Sequence, residues 1–534
     1  MLYRVPYRKS LFSHGNKITS FTKLFLLAGL SLSTFGQNWP QASGPNANYQ
    51  VEGNAPKKWS VVRNENIKWR TPMPEAGQAA VTVWGNKVFT TVHKPINSIE
   101  EKTSVTDIIA YCMDAETGEV LWTKDLPGSV IIDIANGFSD ATVFAPLCDG
   151  EKVWFFNRCG RMACYDMDGN EQWVRDFKPR YMHKNRQAEP FFVGDTILYV
   201  EMADKKEEFT SIPRKDNKKK AEAAKDKGFW TYVHGIDKNT GKVLWREKTG
   251  TVVHCNPVLN TLKDGTQALV QQRGGPHAPV ENPAGITLMS LDEGKEGEEI
   301  WSKPIKGLFT MANVHWNKDF IPLIIGTDCQ VLSTDSGEIL RKVSIIDDVT
   351  VHRKGKESTK ESISSKGPRK LTYNTEILVG NDYYFLSFSA PYLGKVNLET
   401  GSMEYLELPA QLIASPKSAQ ENVFINSIKK VKNVPVNQKG LKIGAKGHDG
   451  AGFGHLCSAS PILVGKHLII PVVTGTVYVI DTTKGFNNGE ALVAVNDLGE
   501  ANKTWTLSTF SHSKGRLYTH TMKEVICIEN NSGN

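Results

Sequence analysis

The residues best suited by type to do chemistry lie in one glycine-rich stretch, Gly444-Ala-Lys-Gly-His-Asp-Gly-Ala-Gly-Phe-Gly-His455, with Cys457 two residues on. His448, His455 and Cys457 are zinc-ligand types. No fourth ligand is identifiable, and the spacing matches no zinc finger. The expected reading is a polar loop ahead of a buried cysteine. A phosphate loop leaves a strand, opens a helix and ends in Gly-Lys-Ser/Thr. This stretch instead enters a strand-like run at residues 461–464 and lacks that ending, which argues against a nucleotide site. A second cluster is Arg273-Gly-Gly-Pro-His277, with His183-Lys-Asn-Arg186 and His254-Cys255 as lesser ones. Arg273, His277, His448 and His455 are the candidate ligand contacts; no residue is assigned as catalytic or as a metal ligand. No carboxylate pair stands out for glycoside chemistry, and a Ser-His-acid triad is a spatial fact that no order along a chain reveals.

The elements that must position these residues come from a repeat. Asp114-Ala-Glu-Thr-Gly-Glu-Val-Leu-Trp122 returns as Asp237-Lys-Asn-Thr-Gly-Lys-Val-Leu-Trp245. Weaker copies fall at 166–173, 292–301, 335–340, 399–405, 481–485 and 529–533. Each is preceded by two apolar runs around a two-residue turn, the pattern of a β-hairpin. The hairpins centre on residues 85, 149, 194, 264, 317, 380, 465 and 514. Two independent signals give eight units. In each turn the Asp accepts backbone N–H groups and the Gly supplies positive φ; the tryptophan wedges between neighbouring sheets. The expected fold is all-β: an eight-bladed propeller of four-stranded antiparallel blades. The last phrase has no strand after it. Asn66-Ile-Lys-Trp-Arg70 has nothing before it, so this N-terminal strand is expected to complete the last blade.

Length and composition agree with a large folded protein. The chain has 534 residues and a formal net charge of +7. Residues 1–36 carry five basic and no acidic residues, so the remainder is close to neutral at +2, and the basic pI is no argument for nucleic acid binding. Basic residues up to Lys23, the apolar run 24–32 and the small residues Ser33, Thr34 and Gly36 form the pattern of a secretory signal. Cleavage is expected near Gly36 or Gln37. The expected protein is exported, periplasmic or extracellular, monomeric, and without a membrane span after cleavage. The propeller then occupies residues 38–534, opening with a turn-rich loop at 38–46. Three stretches interrupt the repeat: 204–227, 352–370 and 428–455, all read as polar. The eight cysteines read mostly as core thiols, with Cys159–Cys164 the favoured local pair if any forms.

The Asp-x-x-Thr-Gly-x-x-x-Trp phrase resembles the pyrroloquinoline quinone (PQQ) repeat of quinoprotein alcohol dehydrogenases and of BamB-type outer-membrane assembly propellers. The resemblance covers residues 38–534. It implies the propeller fold strongly and an activity weakly, because the repeat residues are structural. A dehydrogenase of this kind implies PQQ over calcium, and commonly two consecutive cysteines stacked on the quinone. This chain has no consecutive cysteines and no Cys-x-x-Cys-His for a haem. No cofactor is therefore assigned. The resemblance is taken to imply an exported, non-catalytic binding or scaffold protein of the cell envelope, with an envelope protein or a polysaccharide as partner. The alternatives are a PQQ-dependent alcohol or sugar dehydrogenase and a polysaccharide-acting propeller enzyme.

Overall fold

The first hairpin and the first repeat phrase fold into one sheet of four antiparallel strands, Thr82–Trp84, Lys87–His93, Ile108–Asp114 and Val120–Leu126. Seven further blades, with a separate two-stranded hairpin of Gln411–Ala414 and Asn422–Ile425, follow in a computed structural model. It describes residues 38–103, 105–131, 134, 140–177, 189–202, 231–250, 256, 258–273, 285–308, 313–363, 376–387, 390–409, 411–415, 417–418, 422–425, 436–443 and 459–530. Numbered in chain order, blade 2 begins at Leu147–Cys148, blade 3 at Phe191–Val193, blade 4 at Leu259–Thr261, blade 5 at Phe320–Ile325, blade 6 at Ile377–Val379, blade 7 at Ile462–Val464 and blade 8 at Ser511–Ser513. The N-terminal strand Ile67–Pro72 pairs antiparallel with Glu524–Ile528 as the outermost strand of blade 8. The ring is therefore closed by both ends of the chain. The signal-like segment lies outside the described residues. No helix among the described residues is long and apolar enough to cross a membrane.

The repeat phrase acts as a staple between blades. Asp114 Oδ1 accepts from Glu116 N at 2.7 Å and Thr117 N at 2.9 Å. Gly118 takes φ +76°. The tryptophan of one blade lies on the turn glycine of the next and donates its indole N–H to that turn. Trp69 donates to Ala115 O at 3.0 Å, Trp122 to Met167 O at 3.1 Å, Trp173 to Lys238 O at 3.0 Å and Trp301 to Thr334 O at 2.9 Å. Later copies depart from this. Arg341 replaces the tryptophan of blade 5 and covers Gly401. In blade 6 the turn acceptor is Asn397, bonded to Thr400 N at 2.9 Å, and not the exposed Glu399. In blade 5 Asp335 pairs with Lys263 at 2.9 Å instead of organising the turn. A Cβ on Gly118 would stand 2.7 Å from the Trp69 ring and 2.6 Å from Thr71 Oγ1. Gly118→Ala is expected to cost about 1–3 kcal/mol from the backbone conformation alone, and more from the clash. Gly194→Ala, with φ +56° and open space around it, should show only the backbone part. Urea unfolding of the two variants checks the difference.

In seven blades the ladder to the outermost strand slips by one residue just before the tryptophan position, for example between Cys112 and Met113. The extra residue is Leu121, Gln172, Leu244, Ile300, Leu340, Val493 or Lys68. Such bulges bend an edge strand and spoil it as a template for further pairing. Blade 6 has an unbroken register there, and among the described residues it alone receives extra strands on its outer edge. Val349–His352 pairs parallel to Met403–Glu407, and Thr359–Glu361 pairs with Val349–His352. The first part of the 352–370 stretch is thus a β-hairpin added to a blade, not a polar loop; residues 364–375 lie outside the described residues.

Other expectations change as well. Blade 5 has three strands rather than four; residues 313–316 run where the inner strand would be, and Trp316 is tied to Val258 O at 2.8 Å. Cys159 and Cys164 are free thiols. They sit in different cores, between blades 1 and 2 and between blades 2 and 3: Cys159 in the turn after Asn157 and Cys164 on the strand Arg161–Asp166. Cys112, Cys148, Cys329 and Cys527 are free and buried too. Burial pushes the Cys112, Cys159, Cys164, Cys329 and Cys527 thiols up to about 12.

Candidate functional site: the ring axis

The inner hairpins and the Thr-Gly turns share one face of the ring, as the bond from Ala115 N to Asn86 O at 3.0 Å shows. The connections between blades open on the other face, here called the mouth. The strands that flank all three repeat interruptions end at the mouth. So does Gln267–Arg273, whose last residue is the candidate Arg273. His277, His448 and His455, with His183, Cys255 and Cys457, lie outside the described residues. Of the sequence-derived ligand contacts, only Arg273 falls among the described residues.

It brings together instead a segment that the sequence presents only as a turn-rich loop. Residues 38–52 run along the axis at the turn face and bond to one inner strand after another. Trp39 pairs with Val83 of blade 1. Pro40 O accepts from Cys148 N of blade 2 at 2.9 Å. Gln41 Oε1 accepts from Phe192 N of blade 3 at 2.8 Å. Ala47 O accepts from Leu259 N of blade 4 at 3.3 Å. Gln50 Nε2 donates to Leu378 O of blade 6 at 2.8 Å. Gln50–Val51 then pairs parallel to Ile462–Val464, adding a fifth strand inside blade 7. Trp39 and Tyr49 are 0 % and 1 % exposed. Ala47 and Tyr49 hold φ of 51° and 66°, conformations that non-glycine residues keep only where surrounding contacts over-determine them. The only cue in the sequence was Trp39, a large apolar residue with no place in the repeat.

Above this plug a belt of hydrogen bonds joins the blades. Gln78 N donates to Thr142 Oγ1 at 2.9 Å, Ala145 N to Glu189 Oε2 at 2.8 Å, and Glu189 N to Asn256 Oδ1 at 2.8 Å. Asn256 N donates to Asn313 Oδ1 at 3.0 Å, and Asn313 Nδ2 to Ser460 Oγ at 2.8 Å. Asn256 Nδ2 reaches Tyr49 Oη at 2.9 Å, tying belt to plug. Thr509 Oγ1 completes the arc on Ser460 O at 2.6 Å. The belt encloses a cavity of about 30 Å³ lined by Tyr49, Gln78, Glu189, Asn256, Ser460 and their neighbours. That is room for a water molecule and little more. Burial pushes Glu189 up to about 8, against a hydrogen bond from Ala145 N that lowers it. By area Glu189 is only partly buried, since it lines the cavity; the carboxyl itself is packed in protein. Burial likewise pushes His315 down to about 3, opposed by a hydrogen bond to the Glu376 backbone. The Gln78 amide, 3 % exposed, has no partner among the described residues.

A quinone over calcium does not fit these walls. Calcium takes 6–8 oxygens, whereas the amide oxygens of Asn256 and Asn313 are committed to bonds between blades. Among the described residues Glu189 is the one carboxylate lining the cavity, and burial holds it toward its neutral form. Tyr49, 1 % exposed, walls the same cavity with its hydroxyl tied to Asn256. Among the described residues no three His, Cys, Asp or Glu side chains converge as a metal site.

A family model described as outer membrane protein assembly factor BamB matches residues 63–224. No curated protein matches the chain in sequence. Among solved structures, a quinohemoprotein alcohol dehydrogenase from Comamonas testosteroni superposes with a TM-score of 0.50 at 11% identity, over 93% of this chain and 81% of that one. BamB from Moraxella catarrhalis gives 0.43 at 10% identity, over 87% and 99%. A europium-containing methanol dehydrogenase gives 0.44 at 11%, over 90% and 89%. Identities this low speak to the fold alone. With the repeat phrase, the eight blades and the two-ended closure in agreement, the chain folds as a PQQ-like β-propeller, and its residues 63–224 carry the family match.

Proposed function

We propose that this protein is an exported propeller of the cell envelope that binds a protein partner at its mouth face and carries no quinone chemistry on its axis. The observation that supports this is the plug: the chain's own residues 38–52 bond to one inner strand after another, and the cavity that the described residues line above them is water-sized. The signal-like N-terminus is consistent with export, and the matched family model is described as an outer membrane assembly factor. Strands that flank the repeat interruptions end at the mouth, and loops on a rigid ring are where partners are usually met.

The competing reading is a quinoprotein dehydrogenase. Purified protein given PQQ and calcium is expected to show no retained quinone absorbance and no dye-coupled oxidation of alcohols or sugars. Co-purification from cross-linked envelopes is expected to recover a defined protein. Bound quinone together with turnover would overturn the proposal. Recovery of polysaccharide in place of protein would replace the partner class.

A further inference from the structure

Away from the axis, the hairpin added to blade 6 assembles a hydrogen-bonded chain of serine, histidine and carboxylate. Ser358 Oγ lies 2.7 Å from His352 Nδ1, and His352 Nε2 lies 2.8 Å from Glu404 Oε2. A carboxylate only accepts. Nε2 then carries a proton, and in the neutral ring the Nδ1 lone pair accepts from the Ser358 hydroxyl. The histidine is held on every side. It is 5 % exposed and packs edge-on against Phe486 of blade 7 at 6.2 Å. The other carboxylate oxygen, Glu404 Oε1, is fixed by Lys395 at 2.5 Å, and Lys395 lies over the same Phe486 ring at 4.8 Å. Ser358 is exposed. A nucleophile open to solvent, a base buried behind it and an acid orienting that base are the roles of an acyl-transfer triad, recognised by geometry and not by chain order. The surrounding loop exposes Lys354 and Lys356, with one acidic neighbour, Glu357; Lys360 is bonded to Asp348, and Arg353 is taken up by Glu361 and Tyr392.

We propose that Ser358, His352 and Glu404 form a hydrolytic site for small esters with a negatively charged acyl group. Ser358 Oγ attacks the ester carbonyl as its proton passes to His352 Nδ1. The C–O bond to the alcohol breaks, and that proton leaves on the alkoxide. Water, deprotonated by the same nitrogen, then cleaves the acyl-serine to acid and free serine. Ser358 and His352 are the catalytic residues, and Glu404 is a positioning residue. The site is separate from the axis and does not depend on the binding function proposed above.

The test uses the intact protein with a fluorophosphonate probe and with the nitrophenyl esters of succinate and acetate. The probe is expected to label the peptide containing Ser358. S358A should lose the label and reduce succinyl ester hydrolysis to the buffer rate with an unchanged melting temperature, because the side chain is exposed. Glu404→Gln should lower kcat about 10²–10⁴-fold, the usual size of a general-base contribution, with KM unchanged and partial rescue in Glu404→Asp. K354A with K356A should raise KM for the succinyl ester only. If the native protein is not labelled at Ser358, or if S358A hydrolyses as fast as the unaltered protein, the site is a fastener for the hairpin and the proposal fails. Faster turnover of the acetyl ester would overturn the assigned substrate class.

Discussion

Trp69→Ala is expected to destabilise the protein by about 3–5 kcal/mol, the usual cost of emptying a buried tryptophan site. Trp69 is 8 % exposed, lies 6.0 Å from the Tyr518 ring, donates to Ala115 O at 3.0 Å and covers Gly118. It sits on the one strand that joins the two ends of the chain. Its partner strand Glu524–Ile528 is nearly the last in the sequence, so the contact closes the whole ring. The closure is reinforced by Lys68, which meets Glu529 at 2.8 Å and Glu116 at 3.3 Å, and by Arg516, which meets Glu116 at 2.9 Å. The Arg516 hydrogen bond pulls Glu116 down to about 2. The cations are partly buried, but Glu529 and Glu116 are 34 % and 47 % exposed, so solvent screens these pairs; the buried indole is expected to do most of the holding. Equilibrium urea unfolding checks the value. A loss below about 1 kcal/mol would mean that the closing strand is not held by its tryptophan. Trp301→Ala, at a contact between neighbouring units, should cost less, since it leaves the ring closed.

The second large effect depends on pH. Glu189 has its folded pKa raised from 4.5 to about 8 by burial. Between these values the folded state keeps a proton that the unfolded chain has released, so stability falls as pH rises from about 4.5 to about 8 and levels off above. Glu189→Gln mimics the protonated form at every pH and removes this slope. Its stability relative to the unaltered protein should therefore climb across that window, by a few kcal/mol at most by linkage. Denaturation of both proteins at pH 4.5, 6, 7 and 9 measures the difference. A constant difference would show that the carboxyl is solvated and that the cavity is wetter than its walls suggest. The prediction bears on function, because a carboxyl kept neutral at neutral pH is a poor calcium ligand.

Much of the fold was legible because its instructions are local. The turn at Asp114–Gly118 closes on itself within five residues, the glycine supplies a backbone angle that few other residues adopt, and the tryptophan follows at a constant distance. Counting such units leads to eight blades, and the unmatched Trp69 strand leads to the closure. Degenerate copies misled where another residue had taken over the same job, as Asn397 did in blade 6. The site was much less legible. Arg273, His277, His448 and His455 were chosen by residue type, and nothing in their spacing says what surrounds them. Tyr49, Glu189, Asn256 and Ser460 are ordinary residues in ordinary contexts, up to 411 positions apart in the chain.

By itself, then, the sequence determined a closed ring of eight similar sheets, since a repeated local turn with a repeated apolar wedge has few other ways to bury both faces of every sheet. Only the tertiary structure decided what lies at the centre and on the edges. A ring leaves unpaired backbone groups in two places, along the innermost strands and along the outermost. Which stray segment satisfies them depends on geometry that no local pattern encodes. Residues 38–52 took the inner positions and filled the axis. The 349–361 hairpin took the one outer edge without a bulge, and so carried His352 and Ser358 to Glu404.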